Sequence, residues 1–187
     1  MLCRVFAFVL AASVFYVLSL SIMSPPTPNL EVRLQSPSVP AKFTPPIPLT
    51  IQVSVQNKGE TPATVLKWGS PLDGRANVLG IFEILDTEND KVVEITTVKF
   101  SRQLPPSVED FVEIPPGGKI DAEVKIPLVP LEQGKKYTIQ AKGWWQAVWE
   151  QHLGEVPREN LEKLAGALRG ESGRNWAMDM GIGLSTI

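Results

Sequence analysis

The sequence predicts an all-β chain that folds as an antiparallel β-sandwich of seven or eight strands, with one short helix near the C-terminus. Apolar and polar residues alternate with a period of two, which is typical of strands with one buried face. Turn sequences rich in Gly and Pro separate these segments, and no helical pattern intervenes between them. The length of 187 residues suits one domain, and hydrophobic and charged fractions of 43% and 20% are ordinary for a globular protein.

Four segments carry a clear alternating pattern, and four more are weaker strand candidates. Each is short and bounded by residues that favour turns, as expected for strands joined by tight connections. The four clearest segments are Leu30–Gln35, Leu49–Gln56, Ile120–Leu128 and Lys136–Lys142. The four weaker segments are Ala63–Trp68, Gly80–Asp86, Lys91–Ile95 and Thr97–Ser101.

The connections between these segments have recognisable turn chemistry. Asn57–Gly59 is expected to close the second strand, because Asn and Gly both tolerate a positive φ. Pro115–Gly118 predicts a chain reversal, and Asp86–Asp90 reads as a hairpin turn. The chain has 17 prolines, and the pairs Pro45-Pro46 and Pro105-Pro106 are expected between strands, where they stop pairing and protect sheet edges.

One helix is predicted near residues 157–169. Pro157 suits the first helical position, and Leu161, Leu164 and Leu168 fall on one face. The segment Trp176–Leu184 alternates again but is rich in Gly, so it is either the last strand of the sandwich or an unpaired tail.

The N-terminus predicts export. Arg4 precedes an uncharged, mostly apolar run that ends at Met23, which is the pattern of a signal peptide. The run also has the length of an uncleaved membrane anchor, so residues 1–23 are one or the other, followed by a Pro-rich linker at 24–29 and the sandwich domain at 30–187. We therefore expect a secreted, extracellular domain, with membrane attachment only if the segment is uncleaved.

Charge and residue counts exclude several classes of function. Cys3, the only cysteine, lies in the export segment, so a disulfide framework is excluded. Without Arg4 the chain has 17 basic and 20 acidic residues, which gives no electrostatic footprint for nucleic acid. His152 is the only histidine, and we expect it in a surface loop. One histidine cannot provide a histidine-rich metal site, and no cofactor-binding motif is present, so we expect a protein that is not an enzyme and binds neither metal nor cofactor.

Four tryptophans form the candidate binding face: Trp68, Trp144, Trp145 and Trp149. On a strand, Trp145 and Trp149 share one side and Trp144 lies on the other, so at least one indole is expected at the surface. An exposed pair could stack on a sugar or on a protein partner. The alternative is that these rings plug the end of the sandwich beneath the C-terminal helix.

The sequence resembles two known classes of domain, which narrows the range of functions to consider. The unit Ile51–Gly59 resembles exported immunoglobulin-like modules. The order of Leu30–Leu34, Val65–Asp73, Phe82–Ile84 and Ile114–Gly118, followed by Gly134–Thr138, resembles the N-terminal propeptide domain of fungal deuterolysin-family secreted metalloproteases, and stand-alone fungal proteins of that type.

The deuterolysin resemblance implies only the non-catalytic half of those enzymes. Their catalytic domain holds zinc through two histidines of an H-E-x-x-H helix, and this chain has His152 alone. The resemblance implies a domain that acts by contact with another protein, as an inhibitor or chaperone of a secreted protease. The alternative hypothesis is a surface or carbohydrate-binding module that uses exposed tryptophans.

Overall fold

The computed structural model describes residues 29–99, 101–168, 178–179 and 184–186. The predicted export segment at 1–23 lies outside the described residues. Of the weak segment Thr97–Ser101, every residue except 100 is described, and none of these residues is in a strand.

The described residues form twelve strands, one α-helix (α1) and two 3-10 helices. Seven strands have four or more residues: β1 (Leu30–Gln35), β2 (Ile47–Asn57), β3 (Ala63–Leu66), β4 (Phe82–Asp86), β6 (Phe111–Ile114), β7 (Lys119–Val129) and β8 (Tyr137–Ala141). The shorter strands are β5 (Lys91–Val92), β9 (Trp144–Trp145), β10 (Val148–Trp149), β11 (Met178–Asp179) and β12 (Leu184–Thr186). The helices are α1 (Arg158–Leu168) and the 3-10 helices Val108–Asp110 and Leu153–Glu155.

The strands pair in antiparallel fashion and confirm the predicted all-β sandwich. The first sheet has the order β1-β2-β7, and the second has the order β12-β8-β4-β5. A smaller sheet, β10-β3-β6, and the pair β11-β9 complete the fold. The segment Trp176–Leu184, predicted as either a last strand or a tail, contains paired residues. They belong to two different strands, because β11 pairs with β9 and β12, which begins at Leu184, pairs with β8.

The core lies between the two main sheets. In β2 every second residue from Leu49 to Val55 is buried, and in β8 Tyr137, Ile139 and Ala141 are buried. Each of the buried Leu, Ile and Val side chains contributes about 1.5–3 kcal/mol on removal from water. The alternation that predicted these strands therefore also identifies the core-facing residues.

A second apolar cluster lies beneath α1. Leu164 packs there with Leu66, Trp68, Phe111 and Trp149, and the predicted face of α1 is confirmed. Pro157 lies just before the helix instead of at its first position, since the helix begins at Arg158. The Pro157 carbonyl oxygen accepts a hydrogen bond from Asn160 N at 2.9 Å.

Tyr137 closes the connection between the two sheets. Its buried hydroxyl oxygen accepts a hydrogen bond from the backbone N–H of Glu132, five residues upstream, at 2.7 Å. A tyrosine at the start of a strand that bonds back across the preceding corner is a hallmark of immunoglobulin-type sandwiches.

The Asn57 turn forms where it was predicted but for a different reason. Neither Asn57 nor Gly59 has a positive φ. The buried Asn57 side chain instead donates to the carbonyl oxygens of Thr61, at 2.7 Å, and Ile114, at 3.0 Å, and accepts from Gly59 N at 2.9 Å. These bonds tie three backbone segments together, so the residue acts through its amide group.

The other two predicted turns are confirmed. Gly117 has a φ of +68°, and Gly118 N donates to Pro115 O at 2.9 Å, which closes the reversal before β7. In the β4–β5 hairpin, Asp86 accepts hydrogen bonds from the backbone N–H groups of Glu88 and Asn89. The side-chain hydrogen bond from Asn89 contributes most to lowering the pKa of Asp86 to about 2; burial opposes this shift, and Lys135 reinforces it.

Candidate binding site

The tryptophans of the predicted binding face are mostly buried. Trp145 is 1% exposed, Trp68 6% and Trp149 7%. The side chain of Trp144 lies outside the described residues. These three rings are therefore too buried to form an exposed binding face. Of the four predicted residues, only Trp144 remains a candidate for that face.

The strand pattern around these tryptophans is as predicted, but the shared side faces inwards. Trp145, Ala147 and Trp149 are all buried. Trp145 joins the main core, whereas Trp149 joins the cluster beneath α1 and packs against Phe111 with ring centroids 5.8 Å apart. The alternative in which the rings plug the sandwich beneath the helix describes Trp149 and Trp68 well.

Trp68 anchors the long connection between β3 and β4. Its indole N–H donates to Asp110 Oδ1 at 2.8 Å. Burial acts to raise the pKa of Asp110, but hydrogen bonds from Trp68 and Ser107 hold that pKa below its ordinary value. The guanidinium of Arg102 lies 5.4 Å from the centre of the Trp68 ring, within the range of a cation–π contact.

Asp73 fixes the course of the same connection. Its side chain is buried, and its oxygens accept hydrogen bonds from Gly69 N and Arg75 N, both at 2.9 Å. Arg102 forms an ion pair with the Asp73 carboxylate. Burying a carboxylate is costly unless it is paired and hydrogen-bonded, so this set of contacts holds one loop conformation.

The loop that Asp73 holds runs beside β7. In the described part of the chain, β7 has a neighbouring strand on one side only. In the order β1-β2-β7, the β1 edge lies near β12 and β8 of the second sheet. At the edge of the second sheet, β5 has only two residues. The edge of β7, by contrast, belongs to an 11-residue strand. Unpaired edges expose backbone N–H and C=O groups that can pair with another chain.

The pairing of β2 with β7 determines which residues of β7 direct their backbone N–H and C=O groups to the open edge. Asn57 N donates to Gly118 O, next to β7, and Lys58 N donates to Asn29 O, next to β1. Since successive residues of a strand direct these groups to opposite sides, odd-numbered residues of β2 bond to β7. In the observed register Val53 lies opposite Ala122 and Ile51 opposite Val124. The bonded residues of β7 are thus even-numbered.

The residues of β7 that direct backbone groups to the open edge are therefore the charged ones. They are Lys119, Asp121, Glu123 and Lys125, and all four side chains are exposed on the outer face of the sheet. Pro127 follows, near a register shift in the pairing with β2. We call these four residues and their backbone the β7 edge.

A cleft of about 400 Å³ lies between the β7 edge and the loop that Asp73 holds. Because its lining includes consecutive residues that point to opposite faces of the sheet, the cleft follows the strand edge. Its lining residues are Pro71–Gly74, Ala76 and Asn77 from the loop and Ala122–Lys125 from β7.

His152 is exposed, as the sequence predicted, and its side chain contacts β6. Its Nδ1 lies 2.8 Å from Glu113 Oε1, and Leu153 N donates to Glu113 Oε2 at 2.9 Å. The Glu113 hydrogen bond raises the pKa of His152. These contacts connect β6 to the 3-10 helix that leads into α1.

The described residues offer no group of three His, Cys, Asp or Glu side chains placed to hold a metal ion. In the same part of the chain, no helix combines the length and apolar character that a membrane span requires.

Comparison with known proteins assigns the chain to a family. A family model for an immunoglobulin-like domain matches residues 29–179, most of the chain, so the protein belongs to this immunoglobulin-like family. The chain is also 39% identical over 132 residues to an uncharacterized secreted protein of the fungus Arthroderma benhamiae, with 68% of this chain and 67% of the relative covered. The predicted secreted location and immunoglobulin-like sandwich are thereby confirmed.

The β7 edge is the feature that the sequence interpretation missed. The alternation from Ile120 to Leu128 predicted the strand but not its place at the border of a sheet. One signal was available: charged residues recur at every second position, and Pro127 interrupts the end, both of which natural edge strands favour.

Proposed function

We propose that this secreted immunoglobulin-like protein is not an enzyme and acts by binding another polypeptide along the β7 edge. The observation that carries the proposal is an 11-residue strand that, among the described residues, is paired on one side only and is bordered by a cleft. Addition of an extended segment to an exposed strand is a common mode of peptide recognition, because main-chain hydrogen bonds supply the affinity.

The finer form of the proposal concerns the class of partner. The resemblance of Val65–Asp73 and the flanking segments to deuterolysin propeptides favours a secreted protease as the partner, with this domain as inhibitor or chaperone. Val65 lies in β3, and Pro71–Asp73 line the cleft, so part of that resemblance falls at the proposed binding site.

A carbohydrate-binding role is the weaker candidate. Sugar recognition would need an exposed aromatic platform. Trp68, Trp145 and Trp149 are buried, so of the four tryptophans predicted to form the binding face only Trp144 is left for that role.

Site-specific photo-crosslinking tests the proposal. A photoreactive amino acid replaces Glu123 in one variant and Arg33 in a matched control, since Arg33 is exposed on β1 of the same sheet. The variants are incubated with the secreted proteins of the producing organism. We expect a defined polypeptide adduct, identified by mass spectrometry, whose yield at position 123 is several-fold higher than at position 33. Equal yields at the two positions, or no polypeptide adduct at position 123, would contradict the proposal.

A further inference from the structure

The order of charges on the β7 edge restricts its partner. Lys119, Asp121, Glu123 and Lys125 give the sequence base, acid, acid, base at every second residue. This sequence reads the same in both directions along the strand. The inference rests on the proposed function, because it concerns the partner of the same edge.

The symmetric pattern opposes pairing with a second copy of β7. In the antiparallel register that aligns all four residues, Lys119 lies opposite Lys125 and Asp121 lies opposite Glu123. Like charges directly opposite each other on neighbouring strands are destabilising. In that register the edge thus disfavours its own self-association, which is the usual hazard of a long exposed strand.

From this pattern we infer that the partner is an extended segment with the reciprocal order acid, base, base, acid at every second residue. Such a segment places an opposite charge beside each of the four residues in either strand direction. Between cross-strand neighbours, opposite-charge pairs are stabilising and like-charge pairs are destabilising. Main-chain bonds give the affinity, and the charges select the partner.

Existing contacts on this face leave the charges available. Lys119 Nζ pairs with Asp121 Oδ2 at 2.8 Å, and Gln52 Nε2 donates to Glu123 Oε2 at 2.7 Å. Lys119 and Asp121 are both more than half exposed, and pairs of this kind contribute little. Lys125 forms no ion pair within the part of the chain that the structure describes.

Two synthetic peptides of opposite charge order test the inference. The matching peptide is Thr-Glu-Val-Lys-Val-Lys-Val-Glu-Thr, and the control exchanges every Glu with Lys. Binding is followed by NMR titration of the amide signals of β7 at low salt. We expect the matching peptide to bind about tenfold more tightly and to shift the signals of residues 119–125. Equal affinities, or binding by neither peptide, would overturn the inference.

A charge-exchanged protein provides the reciprocal test. The variant Lys119→Glu, Asp121→Lys, Glu123→Lys, Lys125→Glu changes exposed side chains only, and its fold is checked by circular dichroism. We expect its peptide preference to reverse, and an unchanged preference would overturn the inference. Sedimentation of the wild-type protein tests whether a second copy of the chain occupies the edge. A dimer whose contacts include β7 would also overturn the inference. If neither peptide binds but position 123 still crosslinks to a polypeptide, the inference about charge order is wrong and the proposed function is retained.

Discussion

Replacement of Trp145 by alanine is expected to lower the free energy of unfolding by about 3–5 kcal/mol, because removal of a fully buried large aromatic leaves a cavity. Trp145 is 1% exposed, and its strand β9 pairs with β11. Denaturant unfolding followed by circular dichroism measures the loss. The matched control is Val108→Ala, at a residue that is 74% exposed, where we expect a change below about 0.5 kcal/mol.

A binding role for Trp145 predicts a different result. If the ring served a ligand, Trp145→Ala would leave the free energy of unfolding nearly unchanged, within about 1 kcal/mol. Should the alanine variant fail to fold, Trp145→Phe retains part of the apolar volume and is expected to unfold at a lower denaturant concentration than the wild type. An undiminished stability of either variant would contradict the burial of this ring.

Replacement of Asp73 by alanine is expected to destabilise the protein by about 2–4 kcal/mol, because two backbone N–H groups and Arg102 lose their acceptor. Those N–H groups belong to Gly69 and Arg75 in the connection that borders the cleft. Amide hydrogen exchange is therefore expected to accelerate at these two residues before global unfolding.

Asp121→Ala is the matched control for Asp73→Ala. Its carboxylate also pairs with a cation, but the side chain is 58% exposed, so we expect little loss of stability. Equal effects of the two substitutions would show that the Asp73 contacts do not hold the loop. If the loop forms one wall of the binding cleft, Asp73→Ala also weakens partner binding more than its effect on stability explains.

The alternation of side chains accounts for the parts of the fold that the sequence predicted well. β1 has the predicted bounds, and β2 and β7 exceed the predicted segments by two residues or fewer at each end. In these strands one face is buried and the other solvated, so the alternation of apolar and polar residues indicates which side chains are buried. β6 escaped prediction because its buried residues, Phe111 and Ile114, do not alternate.

The site was harder to predict because it depends on long-range topology. The pattern of β7 is the same for a central strand with one solvated face as for an edge strand, and only the sheet order places it at a border. The tryptophans were misleading for a similar reason: residues of α1 pack in one cluster with Trp68 and Trp149, whose burial local periodicity does not predict. Asn57 and Asp73 likewise act through contacts with backbone groups that the sequence does not identify.

Residue-resolved amide hydrogen exchange of the free protein tests the central claim, the open β7 edge, most directly. We expect alternating protection along β7: the amides of Ala122 and Val124, bonded to β2, exchange slowly, whereas those of Asp121, Glu123 and Lys125 exchange fast. Addition of the partner polypeptide is then expected to slow the fast set and leave the slow set unchanged. Uniform slow exchange in the free protein would contradict the claim, because it would mean that the edge is already paired.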